Sequence, residues 1–95
     1  MKFNTDQINI MSGAINRFGD NPQVDMAVEE MSELTKELLK HRRFNDNRCK
    51  IVEEMADVYI MLYQLQMIFS IDEIELGIEA VYKLQRLYER MNNNG

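Results

Sequence analysis

Apolar residues recur at three- and four-residue steps along almost the whole chain, and only one proline and four glycines interrupt them. That periodicity confines the fold to helices, because no segment alternates at the two-residue period a half-buried strand requires. Helix one is predicted over Thr5 to Phe18, capped by Asn4 or Thr5, with Ile8, Met11, Ile15 and Phe18 as its apolar stripe and Gly19 as its terminator. DNPQ reads as a linker. Helix two starts at Pro22 behind a capping Asn21 and runs to about His41, where HRRFNDN breaks the pattern. Helix three spans about Asn47 to Phe69. SIDE, Ser70 to Glu73, has the spacing of a capping box that opens helix four, which lasts to about Met91, and NNNG reads as a frayed tail. With 95 residues, 45% of them hydrophobic, the chain supports one domain over 1–95 and one core.

Two six-residue stretches are nearly the same: VEEMSE from Val28 to Glu33, and VEEMAD from Val52 to Asp57. Helices two and three are joined by a short connection and so form an antiparallel hairpin whose turn centres near Phe44. Residues equidistant from that centre stand level, which puts Glu30 and Glu33 opposite Glu54 and Asp57. At about 100° per residue, Ala27, Met31, Leu34 and Leu38 form one core stripe, and Ile51, Met55, Val58, Leu62, Leu65 and Phe69 form the other. Glu30 and Glu33 lie roughly 70° and 130° to one side of their stripe, and Glu54 and Asp57 roughly 60° and 120° to the same side of theirs. Four carboxylates are thereby expected to converge, while Glu29 and Glu53 point further out.

Converging carboxylates repel one another unless cations neutralise them, so a divalent metal is the natural complement. An oxygen-only set suits magnesium, manganese or calcium; bundle di-iron sites use Glu-x-x-His, and neither motif has a histidine at the third step. The single histidine, His41, reads as a helix-end or surface residue. The single cysteine, Cys49, cannot form an internal disulfide, and the start MKFNTDQINI lacks the apolar run of a signal peptide, so a cytoplasmic setting is expected. A net charge of -5 argues against a nucleic-acid polymer or an anionic membrane as partner. A small anion bridged by metal is compatible with it.

The paired motifs, E30-M-S-E33 and E54-M-A-D57 in the contexts QVDMAVEEMSELTKEL and IVEEMADVYIMLYQL, resemble the all-alpha nucleoside triphosphate pyrophosphohydrolases of the MazG-like group, whose signature is ExxE, a spacer, then ExxD. The likeness extends through most of the chain and is nearest to the short single-domain members of phages and bacteria. The resemblance implies a four-helix MazG-like bundle and magnesium-dependent cleavage of a ribo- or deoxyribonucleoside triphosphate between the alpha and beta phosphates. It also implies that Glu30, Glu33, Glu54 and Asp57 hold magnesium, with manganese as an alternative. Glu30 or Glu33 would accept the proton of the attacking water.

Cations for the phosphates are available at Lys36, Lys40, Lys50, Lys83, Arg86 and Arg90. Lys36 and the Lys83/Arg86 pair are favoured, the latter because they share a face of helix four, where the family carries a basic cluster. Gln23 resembles a position near the nucleotide, and Phe18, Gln23 and Tyr59 are candidates for the base pocket. The chain departs from many relatives in having Val81 two residues before Lys83, where they carry asparagine, and in having no tryptophan. YIMLYQLQMIF, Tyr59 to Phe69, is apolar nearly all round, so a homodimer or homotetramer is expected to cover it. The alternative function is a non-catalytic helical oligomer whose acidic face binds a partner protein. It accounts for the charge but not for the level, same-sided carboxylate pairs.

Overall fold

Asn4 opens the first helix as expected. Its side chain accepts from the Gln7 backbone N–H at 2.9 Å while the Gln7 side chain accepts from the Asn4 N–H at 2.9 Å, a reciprocal capping box that fixes the start of α1 (Thr5–Phe18). The computed structural model describes residues 1–93, and all its regular structure is helical: α1 is followed by α2 (Asp20–Phe44), α3 (Arg48–Ile68) and α4 (Glu73–Asn93). Of the tail expected to fray, Asn92 and Asn93 close α4, and Asn94 and Gly95 lie outside the described residues.

Three boundaries differ from the expectation, each for a local reason. DNPQ is not a linker but the start of α2: Gly19, at φ 98 and ψ 161, makes the whole turn between α1 and α2, and Asn21 caps nothing. Pro22 is tolerated at the third helical position because first-turn amides have no acceptor within the helix. At its other end α2 continues through Arg42 to Phe44, and Asn45 in the left-handed region, φ 53, ends it by donating its N–H to His41 O at 2.9 Å. Ser70 does not cap α4. It is drawn into the closure of α3 with a left-handed φ of 55, and Asp72 takes the capping role by accepting from the Glu75 N–H at 2.7 Å.

The α2–α3 hairpin forms as expected, but its seam is rotated from the expected apolar stripes. The residues of α2 that turn inward are Gln23, Ala27, Glu30, Leu34, Glu37 and His41, and those of α3 are Ile51, Glu54, Val58, Met61, Gln64 and Leu65. Met31, Leu38, Met55, Leu62 and Phe69, expected in the core, are instead exposed. Polar groups inside the seam are paired across it. Gln23 Nε2 donates to Gln64 Oε1 at 2.7 Å, and Asn47 Nδ2 donates to the Glu37 carbonyl at 2.8 Å and to its carboxylate at 3.0 Å. The Asn47 hydrogen bond, followed by Lys40, holds the Glu37 carboxyl below its ordinary range against the opposing effect of burial.

α1 packs on both helices of the hairpin, burying Met11 and setting Phe3 edge-on to Tyr63 at 5.5 Å between ring centroids. α4 runs along none of the other three helices, and no residue of it is buried. The only buried apolar side chains among the described residues are Met11, Ala27 and Met61. The radius of gyration is 16.3 Å, against about 12.4 Å for a compact chain of this length.

The buried amide pair gives a direct test of the seam. Gln64→Met strands the Gln23 amide and is expected to lower unfolding free energy by about 1–3 kcal/mol, while the double variant Gln23→Met/Gln64→Met recovers most of the loss because no buried polar group is left unpaired. Urea unfolding of the three proteins measures this; equal losses in the single and double variants would contradict it.

Candidate metal centre

Helical spacing sets the site. On α2, Glu30 lies one turn beyond Ala27, the most buried residue of that helix, and so must face α3; on α3, Glu54 and Asp57 precede Met61 by seven and four residues and share its side. One carboxylate oxygen from each of Glu30, Glu54 and Asp57 falls within 4.8 Å of the others. Glu30 and Glu54 are half-buried, and Asp57 is exposed, so the cluster opens to solvent on the Asp57 side.

Glu33 stands outside this group of three. It lies on the flank of α2, where Lys36 Nζ meets its Oε1 at 3.4 Å, and it acts on the cluster through its charge on Glu54. Glu53 is turned outward and pairs with Lys50 at 3.5 Å. The exposed Glu29 adds a further charge beside Glu30.

Burial first, then the charge of Asp57 and the hydrogen bond it accepts from the protonated acid, hold the Glu30 carboxyl above the ordinary carboxylate range; Glu54 and Glu29 add to the shift. Burial likewise raises Glu54, followed by the charges of Asp57 and Glu33, with Lys50 opposing. Glu54 Oε2 is buried and has no hydrogen-bond partner. A buried carboxylate oxygen left unpaired carries its desolvation cost in full, and a cation shared with Glu30 and Asp57 would remove both that cost and the mutual repulsion. Three carboxylates and no nitrogen or sulfur donor form an oxygen-only set, which fits a hard divalent cation.

The remaining candidate residues are dispersed. Gln23 is buried and committed to Gln64, so its amide serves the seam. Phe18 is exposed at the end of α1, with the Arg17 guanidinium 5.9 Å from its ring, and Tyr59 lies on the outer side of α3 beside Leu62. These three face different directions. Lys83 and Arg86 line a shallow basic groove with Leu87 and Arg90, built from α4 alone; within one chain they do not reach the carboxylates. Sequence reasoning missed Gln64 and Asn47, whose polar side chains lie at the two ends of the seam. The signal was present, since Gln23 and Gln64 are equidistant from the same turn centre as Glu30 and Asp57. His41 faces inward with its Nδ1 buried and unpaired, and Cys49 is exposed. No helix among the described residues is long and apolar enough to cross a membrane.

A carboxyl whose pKa is raised by folding keeps its proton in the folded chain at a pH where the unfolded chain has released it, so charging it costs stability. With chelator present, the melting temperature is therefore expected to rise as pH falls from neutral through the raised values of Glu30 and Glu54, and to stop rising near the ordinary glutamate value of 4.5. Glu37, shifted the other way, loses its contribution only below that point. Glu54→Gln should flatten the rise without destabilising the chelated protein. Magnesium at about 100 times its dissociation constant should stabilise the parent by roughly 2.7 kcal/mol and the variant by less. Melting curves with an unchanged magnesium response in a destabilised variant would exclude Glu54 as a ligand.

Comparison with known protein families, with curated proteins and with solved structures finds no match to this chain in any of the three.

Proposed function

We propose that this protein is a magnesium-dependent nucleoside triphosphate pyrophosphohydrolase. The observation that carries the reading is the meeting of Glu30, Glu54 and Asp57 across the α2–α3 seam with one buried, unpaired oxygen on Glu54. The likeness of the two motifs to the MazG-like signature supports the same reading and supplies the bond that is cleaved.

Magnesium or manganese, when bound, brings the positive charge that lets a polyanionic substrate approach an acidic site and lowers the pKa of the attacking water. Glu30, Glu54 and Asp57 would hold the ion, with the seam that carries them tied by the Gln23–Gln64 amide pair at one end and by Asn47 bonding Glu37 at the other. Glu30 or Glu33 accepts the proton of the water as its oxygen bonds to the alpha phosphorus. Both are half-buried; burial raises the Glu30 carboxyl, while Glu33 is paired with Lys36 at 3.4 Å. The bond between the alpha phosphorus and the bridging oxygen to the beta phosphate breaks, and pyrophosphate leaves. Lys36, Lys83 and Arg86 are the cations assigned to the phosphates, the last two from the basic groove of α4.

Incubating the protein with each common nucleoside triphosphate and magnesium, and separating pyrophosphate from orthophosphate, tests the reaction. Pyrophosphate and nucleoside monophosphate are expected as first products. Glu54→Gln is expected to lower turnover by at least two orders of magnitude, about 2.7 kcal/mol of barrier. Orthophosphate as first product would contradict attack at the alpha phosphorus. Absence of turnover with every nucleotide would favour an acidic interaction module.

A further inference from the structure

Lys50 stands where a helix least favours a positive charge. It lies in the first turn of α3 beside Arg48, and that turn carries no acidic residue, although the exposed amides of a helix N-terminus disfavour cations. The residues that follow it account for the placement. Glu54 comes four residues later and Asp57 seven, so the lysine and the two carboxylates lie on one flank of α3, with about 6 Å from one turn to the next. Across the seam Lys50 stands level with Glu37, since the two are equidistant from the turn centre. Its Nζ meets Glu53 Oε2 at 3.5 Å, with 62% of the side chain exposed.

The other lysines beside the seam are engaged elsewhere. Lys36 meets Glu33, outside the group of three, and Lys40 meets Glu37. Among the described residues, Lys50 is the cation whose charge opposes the rise of the Glu54 pKa, and no cation opposes the rise at Glu30. The pairing of Lys50 with Glu53 is easily given up, because an exposed pair at that distance is weakly held and a lysine preceding its glutamate is in the less favourable order. A flexible four-carbon stem lets the ammonium swing from Glu53 to Glu54, whose Oε2 is buried without a partner.

We propose that Lys50 is a tethered counter-ion of the carboxylate cluster: it turns to Glu54 while the cluster holds no metal, and a divalent cation must displace it on entering. The inference rests on the reading of Glu30, Glu54 and Asp57 as a metal site. One monovalent charge cannot neutralise three carboxylates, so the lysine relieves part of the repulsion and leaves the rest to the metal. It therefore stabilises the empty site and weakens the filled one, since its charge repels the divalent cation from one turn away. The metal concentration at which the cluster fills is thus set in part by a residue that is not a ligand.

Calorimetric titration of magnesium into the chelator-stripped full chain, with melting curves taken before loading, tests this. Lys50→Met is expected to bind magnesium about two- to fivefold more tightly than the parent at low ionic strength, and to melt at a lower temperature when metal-free. Lys50→Arg keeps the charge and should return both quantities to those of the parent. Lys40→Met removes the same charge from beside Glu37 and should change the affinity less. In about 0.5 M potassium chloride the gap between Lys50→Met and the parent should close, because the screening length is then shorter than one helical turn. A parent that binds no magnesium would remove the metal site and the counter-ion with it. A parent that binds magnesium as tightly as Lys50→Met, or more tightly, would leave the site standing and overturn the role of Lys50. Equal tightening in Lys40→Met would also overturn it, by reducing the effect to net charge.

Discussion

Glu30 and Asp57 are brought together across the α2–α3 seam, and most of what is unusual about the molecule follows from putting like charges there. A hairpin of two amphipathic helices ordinarily buries its apolar stripes between them. Here the inward positions carry Gln23, Glu30, Glu37, Glu54 and Gln64, and Ala27 and Met61 are the only buried apolar residues among the inward positions of the two helices. The Gln23–Gln64 amide pair at one end and Asn47 at the other satisfy the polar groups they reach. The carboxylates between them are left repelling each other, two with raised pKa values and one with an unpaired buried oxygen. The seam holds these like charges facing one another, an arrangement that could hold a cation.

Displacing the apolar residues from the seam has a second effect. Met31, Leu38, Met55 and Leu62 remain on the molecule but on its outside, and α4 adds a further apolar face that its chain leaves bare. An acidic interior and an oily exterior are therefore two aspects of one rotation of α2 and α3 about their axes. A chain that kept its hydrophobic residues between these helices would have a core of its own and no convergent carboxylates.

Much of this could be read from the sequence, and the exceptions have physical causes. The α1 boundaries at Thr5 and Phe18 were legible because Asn4 and Gln7 form a reciprocal cap and Gly19 ends the helix, all local chemistry. The facing of the two acidic motifs was legible because level placement depends only on the turn centre, near Phe44, and not on side-chain rotation. The rotation itself was not legible. An apolar stripe in an amphipathic helix marks a face that must be covered but does not say by what, and assigning Met55 and Leu62 to the hairpin seam assumed that α2 was the cover. Ser70 was misread for a similar reason: its spacing to Glu73 fits a capping box, but tertiary closure of α3 claimed it first and left the role to Asp72. Glu33 lies at the larger angle from its stripe, as helical spacing gives it, and there it meets Lys36 at 3.4 Å.

The short turn at Asn45 to Asn47 also bears on how the chain acquires its shape. Contacts between α2 and α3 close through a few residues, so the loop entropy to be lost before the seam can zip is small, and hairpins of this kind form on the microsecond-to-millisecond scale. The surfaces left outside by that zipping have no local partner with which to collapse. Early after synthesis the chain is thus a rapidly formed hairpin exposing a sticky exterior, and its risk of misassembly is governed by how many nascent copies meet one another, and how soon, before they meet anything else.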